Sequence, residues 1–434
     1  MRLRILLVNP WIYDFAAYNL WARPLGLLRV AEYLSGFEAD ISLIDCTDAG
    51  APRRYGTGRF RAEEVEKPEA LRSVGLRYKR YGIGIDDLAR SIREQGAFDC
   101  VLMTSLMGYW YPGVVRATEV IREVLGDIPV VLGGIYATLY PEHALACSGA
   151  DFIYRGGLSR NLVFALSTFG FRMKKKRKGG PLPYYRLGLY QHFPFAPLQL
   201  STGCPCACPY CASALLAPVC ERRPPLEVLR EIGELYDIGV REYAFYDDAL
   251  LLDADRSLVP LLEGVREKGL ALNFHCPNGL HARCIDRKTA RLMRETGFRT
   301  LRLSLETVNE ERQRETGGKI NCRDFERAVR LLQAEGFDKR ELGAYLLYGL
   351  PGQEWGEVEE GVGFLQSLGV TVHLAEFSPI RGTRVWEELV RKGEIDDGID
   401  PLLTNNSVFS ALHSGYDPEK VKRTKLAVKE YNGR

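Results

Sequence analysis

Short apolar runs alternate with amphipathic stretches along most of this chain. In the first part, Ile5–Val8, Ile41–Ile44, Cys100–Thr104, Val130–Leu132 and Phe152–Tyr154 are apolar runs too short for helices, and they predict strands. Leu27–Leu34, Leu88–Arg93 and Val114–Val124 lie between them with helical periodicity. Gly36, Gly96, Gly126 and Gly149 each follow a helical stretch shortly before a strand, the place of a left-handed terminating residue. Such alternation predicts an α/β, doubly wound, Rossmann-like domain with a parallel sheet. Ligands on these sheets sit beyond the carboxyl ends of the strands.

The alternation resumes after residue 196. Pro197–Ser201, Glu242–Asp247, Ala271–Cys276, Thr300–Leu305, Leu342–Tyr348 and Thr371–Phe377 predict six strands. Leu226–Leu235, Leu258–Glu267, Lys288–Glu295, Phe325–Glu335 and Val358–Leu368 predict the helices between them, closed by Gly239, Gly269, Gly297, Gly336 and Gly369. Six strand–helix repeats fall short of eight, so the second half predicts a partial (β/α)6 TIM-like barrel. The expected boundaries are 1–170 for the doubly wound domain, 171–196 for a linker, 197–385 for the barrel and 386–434 for a short helical extension. The linker carries the basic run Lys174–Lys178 and several aromatics, which predicts a solvated, flexible connection.

Residues 49–84 are an insertion rich in Arg, Gly and Tyr, including Arg77-Tyr78-Lys79-Arg80-Tyr81-Gly82. It is too long for an ordinary connection. Its basic and aromatic residues suit an anionic substrate or RNA; a surface excursion or a wall over a ligand is the simpler expectation.

Composition narrows the class. The 434 residues are 46% hydrophobic and 26% charged, ordinary for a globular protein, and the net charge of +2 argues against a general polyanion binder. No apolar run reaches membrane-spanning length. The chain opens directly on a strand-like run without a signal-peptide layout, which places it in the cytosol. Eleven cysteines fit a reducing compartment and a metal site better than a disulfide framework.

The chemistry concentrates in Ser201-Thr202-Gly203-Cys204-Pro205-Cys206-Ala207-Cys208-Pro209-Tyr210-Cys211. Cys204, Cys208 and Cys211 are spaced C-x3-C-x2-C. A fully ligated [4Fe–4S] cluster takes four cysteines, so a trio leaves one iron open. Cys206 breaks the spacing and reads as a spare thiol. The alternative is a zinc knuckle, for which Cys220 is the only ready fourth ligand.

This loop resembles the cluster motif of the radical S-adenosylmethionine (SAM) enzymes, in which an aromatic, here Tyr210, precedes the third cysteine. The resemblance extends strand by strand from about Pro197 to Thr383. It implies that SAM binds the open iron and is cleaved reductively to a 5′-deoxyadenosyl radical, with the electron coming from a donor such as flavodoxin or ferredoxin. It further implies that Glu306, at the end of Ser304-Leu305-Glu306, and Asn278 bind the SAM ribose. Gly349-Leu350-Pro351-Gly352 would lie against the adenine, and Asp247 and Asp248 would contact the methionine amino group. His275, His281 and His373 are candidates for the cavity wall, with a structural role as the default for each.

The first domain resembles the cobalamin-binding domain of one branch of these enzymes. The resemblance is carried by Asn9-Pro10-Trp11, Thr104-Ser105-Leu106-Met107-Gly108 and Gly133-Gly134-Ile135-Tyr136-Ala137-Thr138, followed by Pro141-Glu142. It implies cobalamin contacts from Asn9, Thr104, Ser105, Gly133, Gly134, Tyr136 and Thr138, with the paired glycines admitting a large flat ligand. Asp14 stands where cobalt-ligating relatives begin Asp-x-His, but no His follows it, and the closing loop is reduced to Gly156-Gly157-Leu158-Ser159. The implied reaction is methyl transfer to an unactivated carbon of a small-molecule or peptide substrate. Ring rearrangement, cyclisation, methylthiotransferase-type RNA modification with a second cluster on Cys46, Cys100 and Cys147, and a non-catalytic cobalamin or redox sensor are the alternatives.

Overall fold

Fully buried Ile5, Leu6, Leu7 and Val8 make a strand that tolerates no polar face, as expected at the centre of a parallel sheet covered on both sides. The structure is a computed structural model that describes residues 2–48, 58–157, 160–177, 180–413 and 415–433. It divides into two units, Met1–Phe193 with Gly398–Thr404, and Pro194–Asp397 with Asn405–Arg434.

The first unit is built on five parallel strands in the order Phe152–Ile153, Val130–Leu132, Cys100–Met103, Leu3–Asn9, Ala39–Asp45. Numbered along the chain, that order is 2-1-3-4-5, the flavodoxin-like arrangement, whose switch point lies between the first and third strands. Helix Leu25–Ser35 buries Leu27, Leu28, Ala31 and Leu34, and Leu27, Ala31 and Leu34 pack with Ile5, Leu7, Leu102 and Val131 in one core. Gly96, Gly126 and Gly149 take positive φ as expected; Gly36 does not, at φ −74°.

Two expectations are corrected. The described part of the insertion is no loose excursion. Its strands Ala62–Glu64 and Lys79–Tyr81 form an antiparallel sheet with Ile12–Asp14, just after the first strand. The run Arg77–Gly82 is mostly interior: Tyr78, Arg80 and Tyr81 are buried, Arg80 pairs with Glu63 at 2.5 Å, and its guanidinium lies over the Trp11 ring. Arg80 is thereby withdrawn from any anionic partner, while Arg77 stays exposed; residues 49–57 lie outside the described residues. The expected linker is likewise structured. Phe171, Met173, Leu187 and Leu189 pack on the first core, Glu38 N donates to Lys174 O at 2.8 Å, and Tyr190 Oη donates to buried Asp45 at 2.7 Å. Lys178 lies outside the described residues.

The second unit is a six-stranded, all-parallel sheet in chain order: Ala196–Leu198, Glu242–Phe245, Asn273–Leu280, Phe298–Glu306, Leu342–Tyr348, Thr371–Glu376. Alternate residues such as Leu301, Leu303 and Leu305 are fully buried, and the five closing glycines all take positive φ. The last strand is capped by helix Pro418–Gly433, where Asn432 accepts from Val372 N at 3.0 Å and donates to Val372 O at 2.8 Å. An amide that mimics a neighbouring strand covers an edge that would otherwise invite pairing. No described helix is long and apolar enough to cross a membrane.

Gly134 shows how tightly the strand-end loops of the first unit interlock. Its φ is +94°, and a Cβ there would stand 2.2 Å from Ser105 O. Gly134→Ala is expected to cost about 3 kcal/mol through combined strain and clash. The check is the first thermal transition of the full chain, which should move to lower temperature; an unchanged midpoint would mean that the Ser105 loop yields at no cost.

Candidate functional site

The cysteine loop begins where the first barrel strand ends, and a buried carboxylate fixes that point. Asp247, at the end of the second strand, accepts from Leu200 N at 3.1 Å, Ser201 N at 2.5 Å and Ser201 Oγ at 2.7 Å. Burial raises its pKa to about 6 despite these donors. The loop is closed at its base by an antiparallel pair, Ser201–Thr202 with Glu221–Arg222. Gly203 sits at φ +74°, where a Cβ would meet Ala217 O and Val219 O at 2.9 Å. From the far side, Val385 N donates to Pro209 O at 3.0 Å and Arg384 to Ala207 O at 2.5 Å.

The loop lines a cavity of about 330 Å³ with Cys204, Cys206, Cys208, Tyr210, Cys211 and Ser213. Asp248, Asn278, His281, Lys319 and Tyr345 close it from neighbouring strand ends. The cysteine trio, Tyr210, Asp248 and Asn278 are therefore brought together, the cysteines as their spacing predicts and Asp248 and Asn278 as the resemblance implies. Asp247 is not. Its side chain is spent on the loop backbone, because successive residues at a strand end face opposite sides. Ser304 is buried with its Oγ against Gly279, where a Cβ would stand 2.1 Å away. Gly349 and Pro351 do not line the cavity either: Gly349 N donates to Tyr416 Oη at 3.3 Å, and Arg312 reaches Pro351 O at 3.4 Å.

Glu306 is held in an unusual way. Its φ is +68°, and Thr307 N donates to Leu305 O across it at 2.9 Å, a γ-turn that ends the fourth strand after a register shift. A strained non-glycine residue at a strand end is a functional signal. Its carboxylate pairs with Lys319 at 2.6 Å, both side chains nearly buried. Lys319 follows Gly317-Gly318, and a Cβ on Gly317 would touch Cys208 Sγ at 3.4 Å. Burial opposes the charge on Lys319, yet Glu306 and the Cys208 and Cys211 thiols hold its pKa above the ordinary value. Burial pushes the Cys204 thiol up to about 11 and raises Cys208, so a metal bound here has to displace protons.

Sequence reasoning left Lys319 and Tyr345 out; His281, a candidate for the cavity wall with a structural role as the default, does line the cavity. The only local signal for Lys319 was a Gly-Gly turn after the fourth strand, and its ammonium lies 6.0 Å from the Tyr210 ring centre. His281 is buried, with Nε2 3.6 Å from Cys206 Sγ and Nδ1 without a partner; burial, then Lys319, lowers its pKa to about 4. His275 is structural, bonded to Thr300 at 2.9 Å and Glu242 at 2.7 Å. The zinc-knuckle alternative loses its fourth ligand, since exposed Cys220 has Gly203 O as its contact, at 3.8 Å. Cys46 and Cys100 are buried in the first unit, and Cys147 approaches His143 at 3.8 Å, so these three make no metal group among the described residues.

In the first unit, Asn9, Pro10, Trp11, Ile12, Ser105, Leu106, Met107 and Trp110 line a cavity of about 90 Å³ at the switch point. Phe60 of the insertion joins them. Asn9 donates its amide to Asp45 at 2.7 Å, and Asp14 accepts from Trp110 Nε1 at 2.6 Å. Thr104, Gly133, Gly134, Tyr136 and Thr138 stand apart from this cavity. Tyr136 is fully buried and bonded to His143 at 2.7 Å, Thr138 Oγ1 donates to Gly134 O at 2.8 Å, and Ser105 Oγ donates to Gly133 O at 2.7 Å. Gly134 is needed for its approach to Ser105, whereas a Cβ at Gly133 would meet only Tyr154, at 3.8 Å. Leu158 and Ser159 lie outside the described residues.

Residues 198–365 match the radical SAM superfamily, so the second unit carries a radical SAM domain, the enzyme type that works with a [4Fe–4S] cluster and SAM. Over 336 residues the chain is 26% identical to an uncharacterized methyltransferase of Pyrococcus horikoshii, covering 69% of this chain and 71% of that one. It is 22% identical over 331 residues to the hopanoid C-2 methylase of Rhodopseudomonas palustris, covering 68% and 60%. Its fold is similar to that of the radical SAM methyltransferase TsrM of Kitasatospora setae, with TM-score 0.64, 16% identity and coverage of 90% and 76%. It is also similar to the cobalamin-dependent SAM radical enzyme OxsB, with TM-score 0.65, 12% identity and coverage of 99% and 71%.

His373 reports on the barrel interior. Its ring lies tilted against Tyr345 with centroids 5.7 Å apart, its Nε2 is buried without a partner, and burial, then Arg302, lowers its pKa from 6.5 to about 4. The folded chain therefore refuses a proton that the unfolded chain accepts between those values, and stability falls as pH drops through that window. His373→Gln should remove about one proton from the uptake that accompanies unfolding. Denaturant midpoints of the metal-free chain across the window measure this; an unchanged pH slope would show that His373 titrates normally.

Proposed function

We propose that this radical SAM enzyme holds a [4Fe–4S] cluster on Cys204, Cys208 and Cys211 and binds cobalamin on its first unit. The reaction we assign is methyl transfer to an unactivated carbon. The observation that carries the cluster assignment is the donor set: three thiols on one clamped loop, lining one cavity at the carboxyl ends of a parallel barrel. A cavity built this way leaves room beside the sulfurs, which is what an iron with an open position requires. Bound there, the cluster and SAM supply a one-electron cleavage of a carbon–sulfur bond, and cobalamin supplies methyl-group chemistry.

The chain's own residues do the positioning. Asp247 fixes the start of the loop, and Arg384 and Val385 hold its middle. Lys319 places a positive charge beside Cys208, which works against the burial that raises its thiol. Asp248 and Asn278 offer an acceptor and an amide to an amino acid or ribose group in the cavity. Glu306, oriented by its γ-turn, can take a ribose hydroxyl only by sharing or releasing Lys319.

For cobalamin, the support is an apolar switch-point cavity walled by Trp11, Trp110 and Phe60, with Leu106 and Met107 exposed beside it. Trp11 and Phe60 are themselves buried, so the contact open to a tetrapyrrole-like ligand is the mouth formed by Leu106, Met107 and half-buried Trp110, and no His lines it among the described residues. The names of the relatives support methylation. The electron comes from a flavodoxin- or ferredoxin-type donor.

The test is oxygen-free purification from cells supplied with cobalamin. The wild-type chain should hold about four irons, absorb as an iron–sulfur and corrinoid protein, and form 5′-deoxyadenosine from SAM. Cys208→Ala should lose the iron and the product together. Undiminished 5′-deoxyadenosine formation by that variant would refute the cluster assignment, and about eight irons per chain would favour a two-cluster enzyme instead.

A further inference from the structure

The inner face of the barrel carries a cation with no counter-ion. On the fourth strand Leu301, Leu303 and Leu305 are fully buried on one face, which puts Arg302 and Ser304 on the other. Arg302 is half-buried, and its hydrogen bonds go to two carbonyls, Leu301 O at 3.3 Å and Glu341 O at 3.4 Å. The Glu341 carboxylate is held elsewhere, by Arg294 at 3.0 Å and Arg299 at 3.3 Å. Among the described residues no carboxylate acts on the Arg302 charge: burial works against it, and the Tyr345 phenol alone works for it. Charges taken out of water are normally paired.

His373 supplies a second, independent reason. It comes from the sixth strand, and its buried Nε2 has no hydrogen-bond partner. The same nitrogen faces the arginine. A Cβ on Gly343, from the strand between them, would stand 2.7 Å from His373 Nε2 and 2.9 Å from Arg302 Nη1. The glycine thus leaves open a spot that touches both groups. Three adjacent strands, with Arg302 paired to Gly343 and Tyr345 to His373, build this arrangement without the cysteine loop. The Tyr345 ring, 5.7 Å from the His373 ring, also walls the cavity of about 330 Å³. Arg302 lies two residues before Ser304 on the same strand face, about 7 Å deeper in the barrel.

We infer that Arg302 and His373 bind an oxyanion, a carboxylate or phosphate group, carried by the substrate. A guanidinium offers such a group paired N–H donors in a planar fork. The imidazole adds a donor when its Nε2 carries the proton. That the ligand is a substrate rests on the proposed reaction; the anion site itself does not. No cluster cysteine takes part, so the site and the cluster coexist. A substrate held this way keeps its acid group behind Tyr345 while the rest of the molecule reaches the cavity. The bound anion also favours the imidazolium, which the arginine alone disfavours.

The test follows the histidine ring resonances of the full chain by NMR, in the cluster-loaded and the cluster-free state. Loss of one signal in His373→Gln assigns the residue. Sodium phosphate and sodium acetate are titrated against sodium chloride at constant ionic strength. At least one of them should shift the His373 signal saturably, equally in both states, and move its protonation to higher pH. Arg302→Gln should weaken that binding by about tenfold or more, and Gly343→Ala should remove it by filling the shared space. Each variant is first matched to wild type by circular dichroism. Arg302→Lys keeps the charge without the fork, should bind between wild type and Arg302→Gln, and carries the test should Arg302→Gln unfold. A His373 signal that moves no more with either oxyanion than with chloride overturns the inference. So does a shift confined to the cluster-free chain, or displacement of the anion by SAM, which would give the site to the cofactor. A shift of His281 in place of His373 overturns it too, by putting the anion beside Lys319. Failure of the cluster reading shows instead in iron content and SAM cleavage, and leaves the cluster-free titration intact.

Discussion

The site depends on one buried carboxylate. Asp247 gathers two backbone N–H groups and a hydroxyl from Leu200 and Ser201 at the point where strand becomes loop. A loop carrying four cysteines has few apolar side chains with which to anchor itself. Its position has to come from backbone contacts at its base and rim, and the Asp247 bonds, the Ser201–Thr202 pairing and the Arg384 and Val385 contacts supply them. A charge-accepting carboxylate forms stronger bonds to backbone donors than a neutral acceptor would. The raised pKa shows what burial costs, and the three donors offset it only in part.

Electrostatics above the loop follow from a second local constraint. The γ-turn at Glu306 turns its side chain toward Lys319 instead of leaving it on the sheet face. The pair is nearly buried, so removing either partner would strand a charge in a poorly solvated place. That is a reason for both residues to keep their positions with no ligand present. It also means that any ligand hydrogen-bonded to Glu306 competes with an ammonium group. Affinity for such a ligand is therefore coupled to the charge beside Cys208 and Cys211.

Much of this was legible because it is periodic. Strand and helix alternation, glycine closures and the cysteine spacing are local patterns, and the two parallel sheets follow from them. What could not be read was which of two adjacent polar residues faces the cavity. Asp247 and Asp248 carry the same side chain one residue apart, and only the pleat decides that Asp248 lines the site while Asp247 supports it. Lys319 and His281 were hidden for a different reason. They lie far from the loop in sequence and belong to no spacing rule, so only the folded chain brings them to Cys206 and Cys208. In the first unit, Gly134 and Tyr136 looked like ligand contacts because a resemblance placed them at a strand end. Sterics give the glycine a packing role against the Ser105 backbone while leaving it exposed, and the tyrosine is buried and bonded to His143. The basic run Arg77–Gly82 could not be placed from sequence because charge does not reveal burial; Arg80 is an interior residue over the Trp11 ring, while Arg77 stays exposed.

The two units apply the same topological rule to opposite chemistry. Each parallel sheet leaves a cavity beyond the carboxyl ends of its strands. In the first unit the polar groups nearby are already paired: Asn9 with Asp45, Asp14 with Trp110, and Arg23 with Asp48 at 3.0 Å and over the Tyr190 ring. What remains open to a ligand is aromatic and aliphatic. In the second unit thiols, an exposed carboxylate, an amide and an imidazole with one ring nitrogen unpartnered remain open. A surface with its polar groups satisfied selects by shape and apolar contact, whereas one with donors unspent selects by coordination and charge. The division of labour we propose, between a large flat cofactor and a metal-bound, charged one, would follow from which polar side chains each sheet end has left uncommitted.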